Sequence, residues 1–196
     1  MGQASTAARS PRAEIDDLTL RRAQQGERGA LGALIDRYHP MVHALVWRMA
    51  CAQGESHVAD LVQDALLGVL TSIARFDPRG PAKLSTWILT IATRVVLNDR
   101  RRGPAPDAAG PAAFVDPATS ASDKELAVAI ARSVAALAEP QRIVLVLREY
   151  HDLDYAEIAE ALDIDVGTVK SRLSRARTGV RTALELSNPD LFRGDR

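Results

Sequence analysis

This sequence predicts an all-α protein in two helical blocks joined by a linker, on three observations. Hydrophobic residues make up 46% of the chain but aromatics only 4%, so the apolar content is mainly Ala, Leu, Val and Ile, which favours packed helices over sheets. Apolar residues recur at spacings of three and four on both sides of the middle of the chain. Between them Gly103 to Ser122 reads GPAPDAAGPAAFVDPATSAS, with prolines at 104, 106, 111 and 117 and no basic residue. Such a stretch cannot build a core and can run extended. The division expected is a disordered tail over 1–13, a first block over 14–102, a linker over 103–121, a second block over 122–187 and a tail over 188–196. With 196 residues, the chain is long enough for two small domains with real cores.

In the first block, Ile15 to Gln25 is a short helix closed by Gly26. The next helix carries Leu31, Leu34, Ile35, Tyr38, Val42, Leu45, Val46 and Met49 at helical spacing, with Pro40 as a point of kinking. After Gly54, Ser56 is an N-cap for a helix whose Val58, Leu61, Val62, Ala65, Leu66, Val69, Leu70 and Ile73 form one apolar stripe. Asp60, Gln63 and Asp64 lie on its other side. FDPRGPAKL is a loop, and Ser85 caps a helix that runs through Ile88, Ile91, Ala92 and Val95 to stop at Gly103-Pro104.

The second block opens on SDKE at Ser122, a capping-box pattern, and continues through Leu126, Ile130, Val134 and Leu137. Pro140 suits the first turn of a helix over Gln141 to Tyr150. Asp154 caps Tyr155 to Leu162, a short turn follows, and Asp165 caps a final helix from Val166 to about Leu184.

That last pair, two helices joined by a tight turn with the second one basic, is a helix-turn-helix pattern. Ala159 is small where the helices cross, and Ile158, Leu162, Ile164, Val169 and Leu173 are apolar where a three-helix core belongs. Asp163 stands at the turn position that favours glycine, which Asp tolerates at some cost. With Val169 pointing inward, Lys170, Ser171, Ser174, Arg175 and Thr178 project outward, with Arg172 and Arg177 at the flanks. From Val166 to Arg181 there are five basic residues and no acidic one. A solvated basic face is the bland explanation of any charge run, but here the turn, the core pattern and the lack of acids coincide.

The formal net charge is +0, so DNA affinity must come from local patches, this one and RVVLNDRRR at Arg94 to Arg102, and be modest without a partner. The single cysteine, Cys51, excludes an internal disulfide framework and a multi-cysteine zinc site, and fits a reducing cytosol. The first residues lack the apolar core of a secretory signal. A soluble cytoplasmic protein is expected. His39 and His43 have metal-ligand spacing, but lack a third placed ligand, so no metal is expected. No catalytic constellation or phosphate-cradling loop is present, and neither an enzyme nor a cofactor is expected.

At LDYAEIAEALDIDVGTVKSRLSRAR the chain resembles region 4 of the extracytoplasmic-function group of sigma-70 family sigma factors. HVADLVQDALLGVL and KLSTWILTIATRVVLNDRRR resemble that family's region 2, and the likeness covers roughly Leu18 to Leu186. The resemblance implies a bacterial transcription initiation factor that binds core RNA polymerase through its β′ and β subunits and directs it to −10 and −35 promoter DNA. It also implies an anti-sigma partner. Asp60, Leu61, Gln63 and Asp64 match the family's grip on a β′ coiled coil, although such a polar face is ordinarily just solvated. Lys83, Arg94, Asn98, Arg100, Arg101 and Arg102 match the segment that melts the −10 element, with Arg79 able to steer the same strand and Trp87 read as core packing. Many members carry asparagine where Arg94 stands, so readout of the flipped base is expected to differ. Thr168, Lys170, Ser171, Arg172, Ser174, Arg175 and Arg177 match the −35 contacts. The linker, charged only at Asp107 and Asp116, suits a basic polymerase channel, and an ordinary tether explains its composition equally well. Two other readings compete: a stand-alone helix-turn-helix regulator, and a helical adaptor without promoter recognition.

Overall fold

The computed structural model describes residues 14–102 and 121–187, and every regular element among them is helical. The linker residues 103–120 and both tails, 1–13 and 188–196, lie outside the described residues. The first four helices are α1 (Asp17–Gln24), α2 (Arg28–Ala50), α3 (Glu55–Ser72) and α4 (Leu84–Arg102). The second four are α5 (Ala121–Ala135), α6 (Glu139–Leu145), α7 (Tyr155–Leu162) and α8 (Val166–Ser187).

Helix α1 begins because the Asp16 carboxylate accepts from the Thr19 backbone N–H at 2.9 Å and from Thr19 Oγ1 at 2.7 Å. Helix α2 continues through Pro40, the point where a kink was expected, to Ala50. Its Leu34, Tyr38, Val42, Leu45 and Val46 line the core. Ser56 is not the cap of α3. That place is taken by Gly54, whose φ of +99° is open to glycine, and the helix starts at Glu55.

Val58, Leu61, Val62, Ala65 and Val69 of α3 share one core with Ile88, Leu89, Ala92 and Val96 of α4. Each of the Val, Leu and Ile side chains among them, once fully buried, contributes about 1.5–3 kcal/mol. The two helices meet closely at Gly68, where an added Cβ would stand 3.1 Å from Ile91 Cγ2. Glu55–Arg75 is apolar and long enough to cross a membrane by composition. Its apolar side is instead committed to this core, and the opposite side carries Asp60, Gln63 and Asp64 in solvent.

Ser85 does not cap α4 either. The helix begins one residue earlier, and Ser85 is buried within its first turn with its N–H and hydroxyl donated to Glu14. Similarly α5 starts at Ala121, which puts Ser122 inside the helix rather than at its cap. Pro140 sits in the first turn of α6 as expected, but α6 ends at Leu145 and a π turn spans Val146–Tyr150. The chain beyond that turn is held by Leu153 N–H on the Leu147 carbonyl at 3.2 Å and by Arg148 on the Leu153 carbonyl at 2.8 Å.

The two groups of helices pack together. Helix α4 lies against α7, and α2 against the π turn. Apolar residues from both groups join one continuous buried cluster.

Candidate nucleic-acid and protein-binding faces

The helix-turn-helix is built as its sequence reads. Asp154 accepts from Glu157 N–H at 2.8 Å while the Glu157 carboxylate accepts from Asp154 N–H at 2.7 Å, a reciprocal cap that starts α7. Asp163 ends it in the left-handed region at φ 53°, ψ 52°. The Asp165 carboxylate then accepts from Thr168 N–H at 2.8 Å and Thr168 Oγ1 at 2.5 Å, which starts α8 and holds the carboxyl below its ordinary value. Thr168 is thus occupied in capping, half-buried rather than fully presented.

Val169, Leu173 and Ala176 point inward and are buried. Lys170, Ser171, Ser174, Arg175 and Thr178 all stand in solvent along one ridge, and Arg172 is half-buried at its edge. Arg175 lies along its own helix, donating to the Ser171 carbonyl at 3.3 Å and to Ser171 Oγ at 3.2 Å. Its guanidinium can swing to a phosphate or a base edge without breaking a tertiary contact. Arg177 differs. It pairs with Glu149 at 2.7 Å across the block, an acceptor that raises its pKa and neutralises part of its charge. The periodicity of α8 placed Arg177 on a flank, but its partner comes from a residue 28 positions away.

The basic residues of α4 are distributed unequally. Arg94, Asn98 and Arg101 are exposed, as are Lys83 and Arg79 in the loop before the helix. Arg100 is turned inward: its side chain is only 12% exposed, pairs with Glu139 at the start of α6 at 2.9 Å, and donates to the Met49 carbonyl. Arg142 stands beside it, half-buried, with its pKa lowered by burial and by the charge of Arg100. Arg94 reaches the Glu160 carbonyl of α7 at 3.4 Å, and Thr86 Oγ1 donates to Glu157 at 2.9 Å. Arg48 lies over the Tyr150 ring at 4.3 Å. The side chain of Arg102 lies outside the described residues. Trp87 is half-buried and packs on Phe76 with ring centroids 5.3 Å apart, which agrees with the core reading.

On α3, Asp60, Gln63 and Asp64 form an exposed polar face. Leu61 does not belong to it. At 3% exposure its side chain fills the core beneath, because it sits on the apolar stripe with Val58 and Ala65. In its stead the face carries Leu67, 49% exposed, one turn beyond Gln63 and Asp64. Leu67 falls at the i, i+3, i+4, i+7 spacing from Asp60, so the same wheel that found the acids could have found it. His39 stacks on His43 with ring centroids 6.1 Å apart and His43 on Trp47 at 6.0 Å, and among the described residues no group of three ligands surrounds a metal position.

The family model described as Sigma-70 region 2 matches residues 34–103, and that described as Sigma-70, region 4 matches residues 127–178. The ECF RNA polymerase sigma-E factor of Escherichia coli K12 is 31% identical over 180 residues, covering 84% of this chain and 92% of that protein. The ECF RNA polymerase sigma factor SigW of Bacillus subtilis 168 is 31% identical over 182 residues, with 84% and 94% covered. Among solved structures, CnrH in complex with the cytosolic domain of CnrY matches with a TM-score of 0.61 at 23% identity, covering 86% of this chain and 96% of that one. RpoE of Bartonella quintana, solved with the anti-sigma factor NepR, matches with a TM-score of 0.59 at 20% identity, covering 79% and 96%. These two likenesses are of fold.

Proposed function

This chain belongs to the extracytoplasmic-function group of the sigma-70 family and is a transcription initiation factor, and on that premise we propose which of its faces does what. The α3 face of Asp60, Gln63, Asp64 and Leu67 takes core RNA polymerase. Two carboxylates and an amide around an exposed leucine suit a partner helix that offers basic side chains around an apolar one, and make the assembly salt-dependent. The α8 ridge of Lys170, Ser171, Ser174 and Arg175 enters the major groove at the −35 element, with Arg172 and Arg177 toward the phosphates. Arg94, Asn98, Arg101 and Arg102, with Lys83, meet the −10 element as it opens. The factor works in the cytoplasm, where polymerase and chromosome are, and the polymerase supplies the chemistry. An anti-sigma protein is the regulatory partner proposed, covering these same faces.

The observation that carries this reading is the acid-free, solvent-exposed ridge of α8 on an intact helix-turn-helix. Packing of the two blocks adds a requirement. Elements about 25 base pairs apart are about 85 Å apart along DNA at 3.4 Å per step. Blocks in contact do not span that, so on this reading α4 leaves α7 when both elements are bound, which releases Arg100 from Glu139.

Run-off transcription with core polymerase on a promoter library tests the assignment. Wild type starts transcripts at defined sites. Asp60→Ala/Asp64→Ala loses them through failure to join the polymerase, and Lys170→Ala/Arg175→Ala loses them with polymerase binding intact. A wild type that shifts duplex DNA alone while adding nothing to core polymerase would sink the reading in favour of a stand-alone regulator.

A further inference from the structure

We infer that Glu14 is a positioning residue for promoter opening, fixing the start of α4 from a point 71 residues upstream; this rests on the −10 role proposed for α4. The Glu14 carboxylate gathers three donors. Ser85 Oγ donates at 2.5 Å, Ser85 N–H at 3.2 Å and Tyr38 Oη at 2.7 Å. Next along the chain, Ile15 N–H donates to the Tyr38 oxygen at 3.2 Å, so two consecutive residues tie down the same phenol. Tyr38 and Ser85 are both buried, and burial together with the Glu14 carboxylate keeps the Tyr38 phenol protonated as a donor well above its ordinary range.

The arrangement does what a local N-cap does elsewhere. The first amides of a helix lack intrahelical partners, and a carboxylate there satisfies them and complements the helix dipole. Lys83, at the cap position of α4, is a lysine with no acceptor to offer. Glu14 supplies the acceptor instead, and its second oxygen binds the hydroxyl that would otherwise be an unsatisfied buried donor. Position matters as much as stability. Lys83 and the Asp77–Gly80 turn lead directly into this first turn, and Arg94, Asn98 and Arg101 follow along the same helix. A rigid helix held at one end to α2 presents them in fixed order to an opening strand. A frayed one must first be ordered, at an entropic cost that falls on the opening step.

The test compares Glu14→Ala, the near-isosteric Glu14→Gln and wild type in full-length holoenzyme, on a duplex promoter and on the same promoter with its −10 region already unpaired by mismatches. Permanganate reactivity of unpaired thymines and run-off yield are the readouts, at equal holoenzyme measured by native gel. Glu14→Ala is expected to lower opening of the duplex about tenfold, as for loss of one charge-assisted hydrogen bond, while leaving the unpaired template within about twofold. Glu14→Gln, which keeps an acceptor, is expected to fall between. Equal losses on both templates would mean a merely structural role and overturn the inference, as would duplex opening unchanged in both variants. Wild type inactive on both templates would instead bring down the promoter reading itself, and this inference with it.

Discussion

Helices α4 and α8 both carry basic residues, but several of those on α4 are held by other elements, whereas on α8 the outward ridge stands clear and only Arg177 at its flank is paired, with Glu149. Lys170, Ser174 and Arg175 of α8 stand in solvent with only their own helix as neighbour. On α4, Arg100 is held by Glu139 and Met49, Arg94 touches Glu160, Thr86 binds Glu157, and the first turn is capped by Glu14. A helix that reads an intact major groove needs only rigidity and the right face outward. A helix that handles a strand as it opens, the role proposed for α4, exchanges such contacts for new ones, so these are the contacts whose loss the proposal predicts.

The comparison breaks most directly at Leu173, which seats α8 on its block. Leu173→Ala is expected to cost about 2–5 kcal/mol, seen as a lower denaturation midpoint of the second block, with −35 affinity lost as the ridge detaches and the α4 contacts of the first block kept. Next, Lys170→Ala/Arg175→Ala should weaken duplex binding by holoenzyme about 10- to 100-fold and reduce the salt slope by about one to two. Arg94→Ala/Arg101→Ala should leave duplex binding nearly intact and slow opening, and equal effects from the two pairs would erase the distinction.

Glu139→Ala sharpens it from the other side. Arg100 loses the carboxylate that holds it inward, at a cost of about 1–2 kcal/mol in packing of the two blocks. Energy transfer between dyes on α3 and α8 of the free protein should fall, and an unchanged signal would show that α4 is not latched there. Asp163→Gly is smaller and of opposite sign. Glycine relieves a non-glycine left-handed turn, worth about 1 kcal/mol, and should raise the melting temperature by about 2–4 °C.

The smallest effect is one of pH. The Asp165 carboxyl is held below its ordinary 3.8 by Thr168, so its contribution is fully present above that value and is lost as pH falls through the lower, folded one. Fraying at Val166 to Val169, followed by amide exchange below about pH 4, should vanish as a pH effect in Asp165→Asn.

How much was legible differs between these regions for the same reason. In α7 and α8 the features that make the helix-turn-helix are set locally: Asp154 with Glu157, Asp165 with Thr168, Asp163 at the turn, and the periodicity that turns Val169 and Leu173 inward. Periodicity and capping rules read such contacts directly. Ser56 and Ser85 misled because a side chain that can cap is not obliged to, and Gly54 and Glu14 took those roles. Leu61 matches the family's contact by likeness alone, while its own place on the apolar stripe buries it beneath that face. The π turn at Val146–Tyr150 carries no helical period that would distinguish it from the end of α6.

By itself, then, the sequence determined the helices, their apolar stripes, the helix-turn-helix and its outward ridge, because each depends on residues within a few positions of one another. Only the tertiary structure decided that Arg100 turns toward Glu139, that Arg177 is paired with Glu149, and that Glu14 starts a helix 71 residues away. Those partners are chosen by the packing of distant elements, and a charged side chain on a helix face reads the same in sequence whether it meets water, a carboxylate or DNA.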